Sequence, residues 1–377
     1  MHAFKVAFVS FDYPEYTFRI ANGLAAHCEV LLVQPQQHIA PFLPVSQANV
    51  TVWTFDKPRL RQPGRQARVI AAILRRIRQF EPDVVHVQSG HAWFHLALPL
   101  LRRYPLVMTI HDVLRHVGDR ESRKTPQWIA DFGHRAADHV IVHTERMRQL
   151  ALTRLRVPAA RVHIVPHVAL GPGIAPPASE STEEERGLIL FFGRIWGYKG
   201  LEYLISAQPA ITAAVPDARI VIAGTGDTFD RYRRLMNDPD RFIVINEFVS
   251  DARRDELFRR AAVVVLPYIE ASQTGVIPLA YTFGKPVVGT TVGGLPDMIE
   301  HGRTGYLVPP RDVSALASAL VTLLKDDDLR HRFGSNGRLL AQHAWSPATV
   351  AAQTMDVYRA ASRGGARRRV FRKAAVL

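Results

Sequence analysis

The sequence predicts an α/β protein with two domains, each a doubly wound parallel sheet, facing a central cleft. Three observations predict it. Short apolar, β-branched runs alternate with helix-length stretches through most of the 377 residues. That alternation breaks once, at a segment rich in Pro, Gly and acid, and then restarts. Several runs of the second half lead directly into loops that carry glycine.

The runs of the first half are Phe4–Ser10, Glu29–Val33, Val50–Phe55, Asp83–Gln88, Pro105–Ile110, His139–His143 and Arg161–Val165. Most are apolar on both faces, as strands inside a parallel sheet must be. Arg65–Phe80 and Trp128–Ala137 are long enough for crossover helices between such strands. Together they predict a Rossmann-like domain over 1–170. Residues 171–186, from Gly171 through Glu185, offer little to bury and read as a linker. The rhythm then returns at Leu188–Phe192, Ala218–Ala223, Phe242–Ile245, Ala262–Pro267, Pro286–Gly289 and Tyr306–Val308, a second domain over 187–346. Pro347–Ala361 reads as a helix, within a segment 347–362 expected to cross back to the first domain. Over 363–377 the cations Arg363, Arg367, Arg368, Arg369, Arg372 and Lys373 follow with no acid after Asp356, so this basic tail is expected to be disordered in water.

Lys and Arg number 48 against 34 acids, a net charge of +14. Such an excess favours anionic partners: phosphorylated substrates, anionic lipid surfaces or nucleic acid. No apolar run approaches the roughly 20 residues that a membrane-spanning helix needs. Met1-His2-Ala3-Phe4-Lys5 runs straight into a strand and lacks a secretory signal. Cys28 is the single cysteine, which excludes an intrachain disulfide and a thiolate zinc cluster. These features predict a cytoplasmic protein, with peripheral attachment at the inner face of a membrane as an option.

The chemistry concentrates in the second half. The strand Leu188–Phe192 is followed by Gly193-Arg194-Ile195-Trp196-Gly197-Tyr198-Lys199-Gly200, and a helix-like run begins near Leu201. A helix N-terminus offers free N–H groups and partial positive charge, and Arg194 and Lys199 add two cations. That combination suits a diphosphate. Ala223-Gly224-Thr225-Gly226, Phe248-Val249-Ser250-Asp251, Pro267–Val276 and Gly284–Asp297 supply further loops at successive strand ends. A nucleotide site needs this many; a structural protein seldom does.

On these residues the C-terminal half resembles the retaining glycosyltransferases of the two-Rossmann GT-B fold, family 4, also called glycosyl transferases group 1. The matching pieces are F-F-G-R-I-W-G-Y-K-G-L, A-G-T-G, F-V-S-D, V-V-V-L-P and G-K-P-V-V-G-T-T-V-G-G-L-P-D, in that order. The N-terminal half is similar more loosely, through V-M-T-I-H-D and I-V-P-H. The resemblance implies transfer of a sugar, with retention, from a UDP- or GDP-sugar to a glycan or polyprenyl-linked acceptor. It places the acceptor on the first domain and the nucleotide-sugar donor on the second, with no metal and no cofactor besides the donor. It implies that Arg194 and Lys199 neutralise the diphosphate. Backbone at Gly193, Gly224, Gly226, Thr274, Gly275 and Val276 would approach the donor, and Phe248-Val249 would meet its base. Glu270 would bind a sugar hydroxyl, and His111 would lie beside the anomeric carbon or the C6 hydroxyl. The sequence departs from the pattern at the second of two expected glutamates. Pro278 lies eight residues after Glu270, and Leu279 stands at the expected position, so either another group recognises ribose or the donor pose differs.

Two readings compete: a nucleotide-sugar isomerase of the 2-epimerase kind, which would act without an acceptor, and a nucleic-acid-binding protein, suggested by charge alone. Against the latter, the basic residues are spread over both domains and no recognition motif occurs. Asp238-Pro239-Asp240 imitates a metal-binding Asp-x-Asp, but its proline suits a turn. His86, His91 and His95 show no zinc spacing. The arginines between Arg65 and Arg78 could face anionic lipid, and His91–Leu98 reads as an aromatic loop that either binds acceptor or is buried.

Overall fold

The computed structural model describes residues 3–39, 42, 46–88, 90–114, 116, 125–172, 184–226 and 228–374. The chain divides into two compact units, one formed by Met1–Arg115, Arg120–Val168 and Pro347–Leu377, the other by His116–Asp119 and Ala169–Ser346. Most of the expected linker, 173–183, lies outside the described residues.

In the first unit the elements run β1 (Lys5–Val9), α1 (Pro14–Leu24), β2 (Glu29–Pro35), α2 (Gln36–Ile39), β3 (Val50–Phe55), α3 (Pro63–Phe80), β4 (Val84–Gln88), α4 (Ala92–Ala97), β5 (Leu106–Thr109), α5 (Gln127–Ala136), β6 (His139–Val142), α6 (Glu145–Leu155) and β7 (Val162–Ile164). The sheet is parallel, in the order β3-β2-β1-β4-β5-β6-β7. The order reverses between β1 and β4, the kind of switch point at which open α/β sheets bind ligands. Helix α3 shows why the pattern folds this way. Ile70, Ile73, Leu74 and Ile77 recur at helical spacing and are buried, while Arg65, Arg68, Arg75 and Arg78 are exposed. Each such aliphatic side chain contributes about 1.5–3 kcal/mol on full burial.

The second unit runs β8 (Leu188–Phe192), α7 (Leu201–Ala214), β9 (Arg219–Ala223), α8 (Asp230–Arg233), β10 (Phe242–Ile245), α9 (Asp251–Arg260), β11 (Val263–Leu266), α10 (Val276–Thr282), β12 (Val287–Thr290), α11 (Leu295–Met298), β13 (Gly305–Val308), α12 (Val313–Lys325) and α13 (Asp327–Gln342). Its sheet is also parallel, ordered β10-β9-β8-β11-β12-β13, with its own core. The final helix, α14 (Pro347–Ala374), belongs to the first unit, where it packs on α1. There the Tyr358 hydroxyl lies 2.7 Å from His86 Nδ1.

Three expectations are corrected. His91–Leu98 is not a loop: His91 caps α4, its Nδ1 accepting from the Phe94 N–H at 3.3 Å, and Phe94 and His95 are buried. The side-chain cap and the apolar interior favour one helical turn over a loop. The basic tail is helical as far as Ala374. Arg, Lys and Ala are good helix formers, and cations near a helix C-terminus are favoured by its dipole. Glu184 and Glu185, placed in a linker with little to bury, are anchored. Glu184 meets Lys285 Nζ at 2.6 Å and Arg330 Nε at 2.9 Å, and Glu185 meets Arg219 at 2.7 Å.

Candidate active site

In the second unit the site residues gather at the C-terminal ends of β8, β9 and β11. After β8 the chain keeps pairing with the loop after β9: Gly193 N–H donates to Ala223 O at 2.9 Å, and Ile195 N–H to Thr225 O at 2.8 Å. A Cβ on Gly224 would sit 1.8 Å from Gly193 O, and one on Gly226 would sit 2.1 Å from Ile195 O. The close approach of loop to loop therefore by itself requires glycine at both positions. Around Gly193, by contrast, the nearest neighbour of a Cβ would be Val276 Cγ2 at 3.9 Å.

A single 3-10 turn, Gly197–Lys199, then leads through Gly200 into α7. Gly200 has φ 64°, and a Cβ there would lie 2.0 Å from Pro267 O. The Ile269 N–H donates to Tyr198 O at 2.9 Å, so the loops after β8 and β11 are stitched together. This contact sets Lys199 Nζ 3.6 Å from the ring centroid of the fully buried Tyr268. Burial pushes the Tyr268 phenol up, with a hydrogen bond from Thr274 and the charge of the exposed Arg194 acting the other way. Lys199 thus borders Tyr268 just ahead of the N–H groups that open α7, and the charge of Arg194 reaches the same phenol.

Thr274 is buried, and its Oγ1 accepts from the Val276 N–H at 3.2 Å. Gly275, at φ −72°, caps α10, whose Leu279 is buried in the core. Glu270 keeps its side chain 42% exposed, with Oε1 3.0 Å from His116 Nδ1. His116 groups with this unit, stacks on Tyr198 at 4.7 Å and lies 3.4 Å from Ser272 Oγ through Nε2. No sequence pattern points to it, since 154 residues separate it from Glu270. Phe248 is 85% exposed while Val249 packs on the core, and Ser250 caps α9.

In the first unit His111 follows β5 and is buried. Its Nε2 lies 2.6 Å from Gln88 Oε1 and its Nδ1 3.2 Å from His143 Nε2. Tyr13 stacks on the ring at 4.1 Å, and His167 stands 5.2 Å from His143. Burial holds these imidazoles neutral: His143 falls to about 4, His167 to about 3, and His111 well below its ordinary value. His143 and His167 were visible in the sequence only as a strand end and as part of I-V-P-H; nothing there joined them to His111.

Residues 186–326 match the family model described as Glycosyl transferases group 1, and residues 15–168 match that of Glycosyltransferase Family 4. A glycogen synthase of Mycobacterium tuberculosis is 30% identical over 309 residues, which cover 76% of this chain and 71% of that protein. The chain belongs to the family 4, group 1 glycosyltransferases. Among solved structures, sucrose-phosphate synthase from Thermosynechococcus elongatus aligns with a TM-score of 0.73 at 20% identity, over 94% of this chain and 98% of that one. Anabaena HepE in complex with UDP-glucose aligns with a TM-score of 0.70 at 19% identity, over 95% and 100%. These likenesses show the GT-B class of fold, two α/β domains with parallel sheets.

Other residues weighed in the sequence are placed outside the candidate site of this glycosyltransferase. Asp238 precedes a 3-10 turn, Pro239–Arg241, that contains Asp240, and it pairs with Arg241 at 3.2 Å. Among the described residues no group of three or more His, Cys, Asp or Glu side chains is arranged to hold a metal ion. No helix of the described residues is long and apolar enough to cross a membrane.

Proposed function

We propose that this glycosyltransferase moves a sugar from a nucleoside-diphosphate donor, a UDP- or GDP-sugar, to a glycan or polyprenyl-linked acceptor with retention of anomeric configuration. The second unit binds the donor and the first the acceptor. The observation that carries this reading is the placement of Lys199 against Tyr268 just before α7, with the charge of Arg194 reaching the same phenol. Two cations and a helix N-terminus can neutralise a diphosphate without a metal ion. As the glycosidic bond breaks, negative charge grows on the departing diphosphate, and fixed cations stabilise that charge more than the ground state. Glu270 accepts from a sugar hydroxyl, and the exposed Phe248 offers a flat apolar face to the base. The complex of HepE with UDP-glucose supports the choice of donor class.

A lipid-linked acceptor would be met at a membrane. The exposed arginines of α3 and the basic end of α14 support peripheral attachment to anionic lipid at the cytoplasmic face.

Thermal unfolding with UDP-glucose, GDP-mannose and ADP-glucose tests the donor site. One nucleotide class should raise the midpoint, and the double variant Arg194→Ala/Lys199→Ala should lose that rise. No rise with any donor, or an equal rise in the variant, rejects the proposed site.

A further inference from the structure

The histidines that follow β5 and β6 are joined in a line whose proton positions are fixed by its far end. His143 Nδ1 lies 2.9 Å from Val165 O. A carbonyl only accepts, so Nδ1 of His143 carries the proton. Being buried and neutral, His143 keeps a lone pair at Nε2. That lone pair faces His111 Nδ1 at 3.2 Å, so His111 must donate from Nδ1. A neutral His111 then has its lone pair at Nε2, 2.6 Å from the side-chain amide of Gln88. Two acceptors do not meet at that distance, so the amide turns its NH2 group toward His111. In the opposite orientation the buried Gln88 Nε2 has no partner, and oxygen and nitrogen of an amide are interchanged by a simple flip. The surroundings add nothing that reverses the line. His167 gives its Nδ1 to Val168 O at 2.8 Å, and His86 is occupied by Thr109 and Tyr358.

We infer that His143 is a positioning residue that fixes His111 in the Nδ1–H tautomer and so makes His111 Nε2 a hydrogen-bond acceptor. A sugar hydroxyl can take the place of the Gln88 NH2 group there; a sugar oxygen that only accepts cannot. The functional half of this inference rests on the reading of His111 as a sugar contact, while the tautomer does not.

Nitrogen NMR of the full-length protein, labelled with 15N at histidine, distinguishes the two tautomers directly, and His111→Asn assigns the signals. Wild-type His111 should be protonated at Nδ1. In His143→Leu the acceptor is gone, so His111 should switch to Nε2–H and donate to Gln88 Oε1. His143→Gln, whose Oε1 can accept, should restore Nδ1–H. Should the leucine variant not fold, His143→Phe keeps the ring volume for the same comparison. A wild-type His111 protonated at Nε2, or an unchanged tautomer in His143→Leu and His143→Phe, overturns the inference. Failure of the sugar-contact reading shows elsewhere: His111→Asn would then turn over UDP-glucose as the wild type does, with the tautomer result untouched.

Discussion

Lys199 Nζ stands 3.6 Å from the ring centroid of Tyr268, joining the loop after β8 to the loop after β11. A cation over a ring face is held by the ring quadrupole, more strongly where water is excluded. The contact fixes the ammonium position before any donor arrives, so less order has to be created on binding.

The first prediction follows from that pair of cations. Lys199→Ala and Arg194→Ala should each lower turnover by about 10²–10³, the loss typical of one fixed charge-stabilising group. Thermal midpoints should change little, because neither side chain belongs to the core. Steady-state rates at limiting donor decide; wild-type turnover in both variants would place the diphosphate elsewhere.

Gly200→Ala should be costly for a different reason. Its φ of 64° and the 2.0 Å approach to Pro267 O leave no room for a methyl group. Strain of this kind costs about 1–3 kcal/mol. Urea unfolding should show that loss together with weaker donor binding, since Lys199 moves with the loop. A variant as stable as the wild type would mean that the two loops separate easily.

Leu279→Glu places a carboxylate where the family resemblance leads one to expect it, yet it should not raise donor affinity. Leu279 is only 4% exposed, within the core of the second unit. An uncompensated buried charge costs about 3–5 kcal/mol. Calorimetric titration with UDP-glucose checks the affinity, and a clear gain would show that position 279 reaches the ribose.

Acid should weaken the first unit early. Folded His86 and His167 titrate at about 3 and His143 at about 4, all driven down by burial. Unfolded histidine titrates near 6.5. Below about pH 6.5 the unfolded chain takes up protons that the folded chain refuses, so stability falls until the folded values are reached. The slope is up to about 1.4 kcal/mol per pH unit for each such histidine. Urea midpoints measured at pH 7 and pH 5 should differ accordingly; equal midpoints would show that these rings are protonated in the fold.

The membrane proposal predicts salt-sensitive binding. Full-length protein should co-sediment with anionic vesicles at low salt, and a truncation after Ala361 should do so much less. Basic residues near an anionic surface contribute roughly 1 kcal/mol each, and screening reduces this as salt rises. Equal binding to neutral and anionic vesicles, or none at all, rejects the proposal.

The strands were legible because burial on both faces leaves continuous apolar runs, and each expected run from Phe4–Ser10 to Tyr306–Val308 contains or overlaps a strand. Their ends were less so: the run at Pro105–Ile110 became Leu106–Thr109, since pairing and not composition sets where a strand stops. Helix α4 was missed because its cap is a histidine, a residue that also fits loops. Gly224 and Gly226 stood out as glycines, but their packing against Gly193 and Ile195 was not legible: a sequence shows that a side chain is excluded, not what excludes it. His116 beside Glu270, and His143 beside His111, needed the folded chain, because no local spacing links them.

The placement of α14 has a consequence for synthesis on the ribosome. The first unit takes its strands from the start of the chain but its closing helix from residues after Pro347. The second unit, continuous from Ala169 to Ser346 except for a short segment, can fold as it emerges. The first must wait, with His86 lacking its Tyr358 partner and α1 uncovered, until residues near 361 have left the exit tunnel. During that interval its apolar faces are open to chaperones and to aggregation, so nascent chains stalled before α14 should be the vulnerable species.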